Sequence, residues 1–170
     1  MPRICSILKL PTTKGKQMNT TDIATARKID TQLAELASVS HKHQRLISTA
    51  WATLKAYGCT DLERARVFAT RNVFGQRSQR IATAIETIEA ETSKAWAIQA
   101  KMNKINEDHY TGWNRFFLVQ HLHNTMYCSS FRRNTQLGWM PEISGLSEEE
   151  AVAEYGSDLC TKCFTTAPTR

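Results

Sequence analysis

Leu159-Cys160-Thr161-Lys162-Cys163-Phe164, and upstream of it His121-Leu122-His123-Asn124-Thr125-Met126-Tyr127-Cys128, decide how the last third of this chain folds. Two residues between thiolates let a tight turn aim both sulfurs at one tetrahedral ion. The Cys160/Cys163 pair needs two further ligands, and the upstream stretch offers His121, His123 and Cys128. The expected set is therefore His123, Cys128, Cys160 and Cys163 around a zinc ion, with His121 as the alternative imidazole. On a strand the two histidines would share a face. Three thiolates and one imidazole are a normal donor set for a structural site.

The gap between Cys128 and Cys160 is long but not empty. Leu137 to Met140 has strand chemistry. Ser147-Glu148-Glu149-Glu150 is a capping box, opening a short acidic helix to Tyr155 that Gly156 stops. Before the histidines, Trp113 to Val119 is aromatic and apolar, which predicts another strand. This plan over residues 110–170 resembles zinc ribbons and treble clefs, a small α+β module in which a hairpin and a second knuckle share the ion. Two other chemistries fit less well. A thioredoxin-like redox pair stands at a helix start after a βαβ pattern, which is missing. A catalytic zinc keeps an open position and a nearby carboxylate base, and nothing in the sequence places Glu142 or Glu148 to Glu150 there.

Residues 19–109 read as helical. Ala26, Ile29, Leu33, Leu36, Ile47, Ala50, Leu54 and Tyr57 recur in steps of three and four, interrupted by the polar Ser40 and His43. Thr21 or Asp22 can cap this helix and Gly58 can end it, giving about 35 residues, or roughly 50 Å. Thr60-Asp61-Leu62-Glu63 predicts a second capping box, with Thr60 as the cap, before a basic segment reaching Phe74. A third helix is expected from Gln76 to Glu107, with Ile81, Ala84, Ile88, Ala95, Ile98, Met102 and Ile105 as its stripe and Glu91 as the polar exception. Neither stripe can be hidden alone, so the expected arrangement is a long antiparallel helical hairpin with coiled-coil-like packing. Trp51 and Trp96 are expected to pack on it, and Cys59 to fill a small core position. His41 and His43, spaced i, i+2, share no helix face. Residues 1–18 form a basic, aperiodic stretch expected to be a flexible tail; a start at Met18 would remove only that stretch.

Charge is uneven. Residues 1–80 carry 14 Lys/Arg against 5 Asp/Glu, and residues 81–170 carry 8 against 11. The densest basic run, Arg64, Arg66, Arg71, Arg77 and Arg80, offers possible nucleic-acid contacts, with a solvated helix face as the blander reading. Only seven glycines and four prolines occur, which favours helices. No stretch approaches the roughly 18 apolar residues of a membrane span, and no secretory signal is expected. Five cysteines, an odd number, argue against a disulfide framework and for a reducing, cytoplasmic setting.

Trp113-Asn114-Arg115-Phe116-Phe117-Leu118-Val119, His121-Leu122-His123, Cys128-Ser129-Ser130, Gly138 to Leu146, Glu150-Ala151-Val152, Leu159 to Phe164 and Ala167-Pro168 together resemble a group of uncharacterised actinobacterial and actinobacteriophage proteins. These pair a helical N-terminal region with a His/Cys-containing C-terminal segment. The resemblance covers about residues 112–168 and implies a phage or actinobacterial origin, with no established activity. Some of these proteins carry a second cysteine three residues after the one matching Cys128; here that position is Phe131, so a histidine is needed to complete four ligands.

The resulting expectation is a mainly α protein with a zinc-containing C-terminal module, not an enzyme. It would act through protein–protein interaction, with a host protein as partner if phage-encoded, or with itself through the helical region. The alternatives are a nucleic-acid-binding protein using the basic first half and a zinc metalloenzyme.

Overall fold

The computed structural model describes residues 20–71, 75–132 and 135–164. The chain is mainly helical with one small antiparallel sheet. Helices α1 (Thr20–Ala56), α2 (Leu62–Arg71) and α3 (Gln76–His109) precede strands β1 (Phe117–Leu118), β2 (Leu122–His123) and β3 (Gly138–Trp139); α4 (Glu148–Tyr155) follows. The basic stretch 1–18, Cys5 and the predicted end of the second helix at 72–74 lie outside the described residues. Among the described residues, no helix is long and apolar enough to cross a membrane.

The helix ends follow local chemistry. Gly58, at φ +78°, takes the left-handed conformation that ends α1, and the Cys59 N–H closes the turn on the Leu54 carbonyl at 2.9 Å. At α2 the cap is Asp61, not Thr60. The helix begins one residue later than the Thr60 box requires, and the Arg64 N–H donates to Asp61 Oδ1 at 2.7 Å. The Thr60 hydroxyl donates instead to Asp61 Oδ2. At α4 the capping box is complete: Glu150 N–H donates to Ser147 Oγ at 3.1 Å and Ser147 N–H to Glu150 Oε2 at 2.7 Å.

The chain divides into two compact units. Leu36–Met102 is one; the other joins the described residues up to Glu35 with those from Asn103 onward. In Leu36–Met102 the core is Ala50, Leu54, Cys59, Ala65, Ile81, Ala84, Ile85 and Ile88, with Trp51, Tyr57 and Phe68 packed on it. The polar exceptions of the two helical stripes find each other. The His43 Nδ1 and Glu91 Oε2 atoms form a close pair, and Lys94 Nζ donates to Glu91 Oε1 at 2.6 Å. A carboxylate on a core-facing stripe is tolerated because it is partnered. Lys94 and His43 hold the Glu91 carboxyl below its ordinary value, against burial. Trp96, expected to pack, is exposed instead.

The second unit has its own core in Phe116, Leu122, Ile143, Ala151, Leu159 and Phe164. Burying a large apolar side chain of this kind contributes about 1.5–3 kcal/mol. The expected strand over Trp113–Val119 is reduced to Phe117–Leu118. Its first half is tied to a loop rather than a strand: Gly145 N–H donates to the Asn114 carbonyl, and Asn114 Nδ2 to the Leu146 carbonyl, both at 2.9 Å. β1 lies between β2 and β3, pairing Phe117 with both His123 and Trp139. Gly145, at φ +84°, receives α1: a Cβ there would stand 3.4 Å from Ile23.

Candidate metal centre

β2 carries the histidine and its neighbour carries the first knuckle cysteine. Leu159 bridges Leu122 in parallel, and the Cys160 N–H donates to the Leu122 carbonyl at 2.9 Å. This places Cys160 alongside His123. The chain then turns tightly, with Cys163 N–H and Phe164 N–H both donating to the Cys160 carbonyl at 3.0 and 2.9 Å. The turn returns the second sulfur to the same point, while Phe164 anchors it in the core beside Phe116. A second turn starts at Cys128, whose carbonyl accepts from Phe131 N–H at 3.0 Å. Asn124 Nδ2 ties the two turns together by donating to the Cys163 carbonyl at 3.2 Å.

One ligand atom from each of His123, Cys128, Cys160 and Cys163 lies within 4.8 Å of all the others. Cys128 Sγ and Cys160 Sγ are 3.8 Å apart, and His123 Nδ1 is 3.4 Å from Cys163 Sγ. A tetrahedron with metal–sulfur bonds of about 2.3 Å has sulfur–sulfur edges of about 3.8 Å, and its nitrogen–sulfur edges are slightly shorter. These two spacings match the edges of such a tetrahedron, and the four ligand atoms together lie within 4.8 Å of one another. His123, Cys128 and Cys160 are buried and Cys163 is half-buried; the cysteines are free thiols. The group fits a metal ion.

The electrostatics are those of thiols competing for one charge. Burial opposes ionisation of Cys128, but donors from the Ser130 side chain and backbone, and then Cys163 and Cys160, outweigh it and bring the thiol down to about 7. Ser130 Oγ lies 3.1 Å from that sulfur and its N–H donates to it at 3.5 Å. Cys163 goes the other way, to about 12: burial raises it, and so do its bond to Cys128 and the charge of its neighbours. A divalent ion would resolve this competition by replacing the shared protons. Burial, then the proximity of His121, lowers His123, favouring the neutral imidazole that a metal requires.

His121 is not among the four. Its Nδ1 is buried and has no hydrogen-bond partner among the described residues. Phe131, three residues after Cys128, lays its ring 4.4 Å from the His123 ring and walls the site. The five arginines belong to the other unit. Arg66 pairs with Glu89, and Arg80 Nη1 donates to the Tyr57 hydroxyl at 3.5 Å. Arg77 donates to the Tyr57 carbonyl at 3.0 Å while its guanidinium lies over the Phe68 and Tyr57 rings. Arg64 and Arg71 line a shallow groove with Asp61, Glu63, Val67 and Phe68.

The sequence reading missed one buried cluster entirely. Asp30 is fully buried and Arg115 nearly so, with Arg115 Nε 2.8 Å from Asp30 Oδ1. Trp113 Nε1 donates to Asp30 Oδ2 at 2.9 Å, and Arg115 Nη1 to Asn106 Oδ1 at 2.8 Å. The guanidinium lies 4.0 Å from the Tyr110 ring centre and 5.2 and 5.4 Å from those of Trp113 and Trp139. Burial pushes the Asp30 carboxyl up; the charge of Arg115 and bonds from Ser144, Trp113 and Arg115 pull it back. The available signal was an acid beside the stripe residues Ile29 and Leu33, and a lone base inside an aromatic run.

No protein-family model, no curated protein and no solved structure matches this chain.

Proposed function

We propose that this chain is a non-enzymatic binding protein whose C-terminal module is stapled by one zinc ion. The observation that carries the reading is the mutual approach, within 4.8 Å, of ligand atoms from His123, Cys128, Cys160 and Cys163. Three sulfurs and one imidazole nitrogen complete a tetrahedron from protein atoms alone, leaving no position for a substrate or a reactive water. Thiolate-rich tetrahedral sites suit zinc over harder cations. The ion then does for residues 110–164 what a larger core would otherwise do, in the manner of a zinc ribbon or treble clef.

Function in this reading belongs to surfaces. Residues 36–102 act as an antiparallel helical hairpin, supported by the core that Leu54 and Ile81 share and by the His43–Glu91 pair. Its exposed apolar side chains, Val39, Leu46 and Trp96, offer contact to a protein partner or a second copy. The resemblance to phage proteins makes a host protein the natural candidate. Elemental analysis of the purified full chain tests the staple: one zinc per chain is expected, and a folded, metal-free protein overturns it. Cross-linking and pull-down from a host lysate, repeated with Val39, Leu46 and Trp96 changed to polar residues, test the surface.

A further inference from the structure

The segments that bring the four ligands together have a charge pattern of their own. From His109 to Pro141, and again from Leu159 to the last residue, there is no aspartate or glutamate. The acidic surplus of the second half is thus confined to α3, the 3-10 turn at Glu142, α4 and Asp158. The two ligand loops display cations and an aromatic ring instead. Tyr127, next to Cys128, is 58% exposed, more than any other large apolar or aromatic side chain among the described residues. Lys162 stands exposed between Cys160 and Cys163, and exposed Arg132 follows Phe131, whose ring touches His123. Tyr127 and Lys162 each adjoin a residue whose ligand atom belongs to the group meeting within 4.8 Å, and Arg132 follows four residues after Cys128, so all three come from the two loops that bring the ligands together.

An exposed tyrosine amid cations, with no carboxylate in the same loops, matches a particular ligand chemistry. An unpaired nucleobase offers a π face that stacks on an aromatic ring regardless of sequence, and the flanking phosphates take lysine and arginine. A duplex hides those base faces. The net negative charge of a closed zinc–trithiolate centre would sit among mostly buried ligands, whereas Lys162 and Arg132 are exposed. In the other unit, by contrast, Arg66, Arg77 and Arg80 are engaged within the chain, and Asp61 and Glu63 stand beside Arg64 and Arg71. We infer that the metal-bearing loops form a site for single-stranded nucleic acid, with Tyr127 as the stacking platform and Lys162 and Arg132 as phosphate contacts.

The test uses the full chain as purified, its metal content measured on the same sample, and fluorescein-labelled 12-mers of oligo-dT and oligo-U read by anisotropy. Binding of either strand at low salt, about 50 mM, is expected, with affinity falling as salt rises. Which strand binds better identifies the sugar. Tyr127→Ala should weaken binding roughly tenfold, while Tyr127→Phe retains it. The pair Lys162→Ala and Arg132→Ala should lower the log–log salt slope by about 1.4, two phosphates at about 0.7 each. Arg64→Ala with Arg71→Ala should leave binding unchanged. The inference is overturned if a metal-loaded sample binds neither strand, if a duplex of the same length binds equally well, or if only the Arg64/Arg71 change matters. A metal-free sample overturns the zinc reading instead, so the two failures are distinguishable.

Discussion

Asp30→Ala should be the most damaging single change outside the metal ligands. The carboxylate is fully buried, accepts from Trp113 Nε1 and faces Arg115 Nε at 2.8 Å. Truncation leaves a 5% exposed guanidinium holding only Asn106 and the surrounding rings. Breaking one half of a buried pair costs about 3–5 kcal/mol. That is a large share of the 5–15 kcal/mol that a domain commonly has. With a urea m-value of about 2 kcal/mol/M, the midpoint should fall by about 2 M. The double change Asp30→Ala with Arg115→Met removes both charges and should lose much less than the sum of the singles, because no charge is then stranded. The assay is urea unfolding followed by tryptophan fluorescence. Hydrogen exchange should locate the loss to residues 20–35 and 103–164 rather than 36–102. A midpoint shift under about 0.5 M for Asp30→Ala, or strict additivity in the double variant, would refute the argument.

Four further outcomes follow from the geometry. Cys160→Ser should abolish stoichiometric zinc, read by elemental analysis, and chelation of the wild-type chain should loosen residues 110–164, read by loss of near-ultraviolet circular dichroism. Metal affinity should fall as pH drops from about 8 to 6: Cys163, near 12, must surrender a proton throughout, and Cys128, near 7, becomes protonated across that window. Glu91 is depressed in the folded state, so its contribution is present above its ordinary value of 4.5 and disappears as pH falls through the lower folded value; Glu91→Gln should flatten acid unfolding in that range. Ser147→Ala should cost about 1 kcal/mol by removing the cap that accepts from Glu150 N–H, measurable as a lower urea midpoint.

The helices were legible because each has a period and an end. Gly58 and the Ser147 box mark ends whose chemistry is local, and the stripes fixed which residues face inward. The fault at Thr60 shows where local reading fails. Thr60 and Asp61 are both competent caps, and choosing between them depends on where the first turn closes. Trp113–Val119 misled for another reason. An aromatic run states that a segment is buried but not that its backbone pairs with a strand; Asn114 bonds to the Gly145–Leu146 loop instead. The cysteines of the candidate metal group were suggested by spacing, since Cys-x2-Cys carries its own geometry, but the sequence left the choice between His123 and His121 open. The Asp30–Arg115 pair had no such spacing. Its partners are 85 positions apart, and only the tertiary fold brings them together.

The buried polar pair and the candidate metal group answer one deficiency. Residues 110–164 hold little regular backbone pairing: their three strands have two residues each. A two-residue strand cannot fix its register by its own ladder. β1 is located from both ends by stronger devices. Arg115, two residues before it, is held in the Asp30 cluster. Its partner β2 ends on His123, which stands at the metal group with Cys160 and Cys163. A one-residue slip of β1 against β2 would move Phe117 out of the core and leave the charge on Arg115 misaligned with Asp30. Each device therefore specifies register as well as adding stability, the buried pair through the cost of stranding either charge and the metal group through fixed ligand positions. It follows that metal loss and Asp30→Ala should be less than additive in destabilising residues 110–164, because either change alone releases the register that both define.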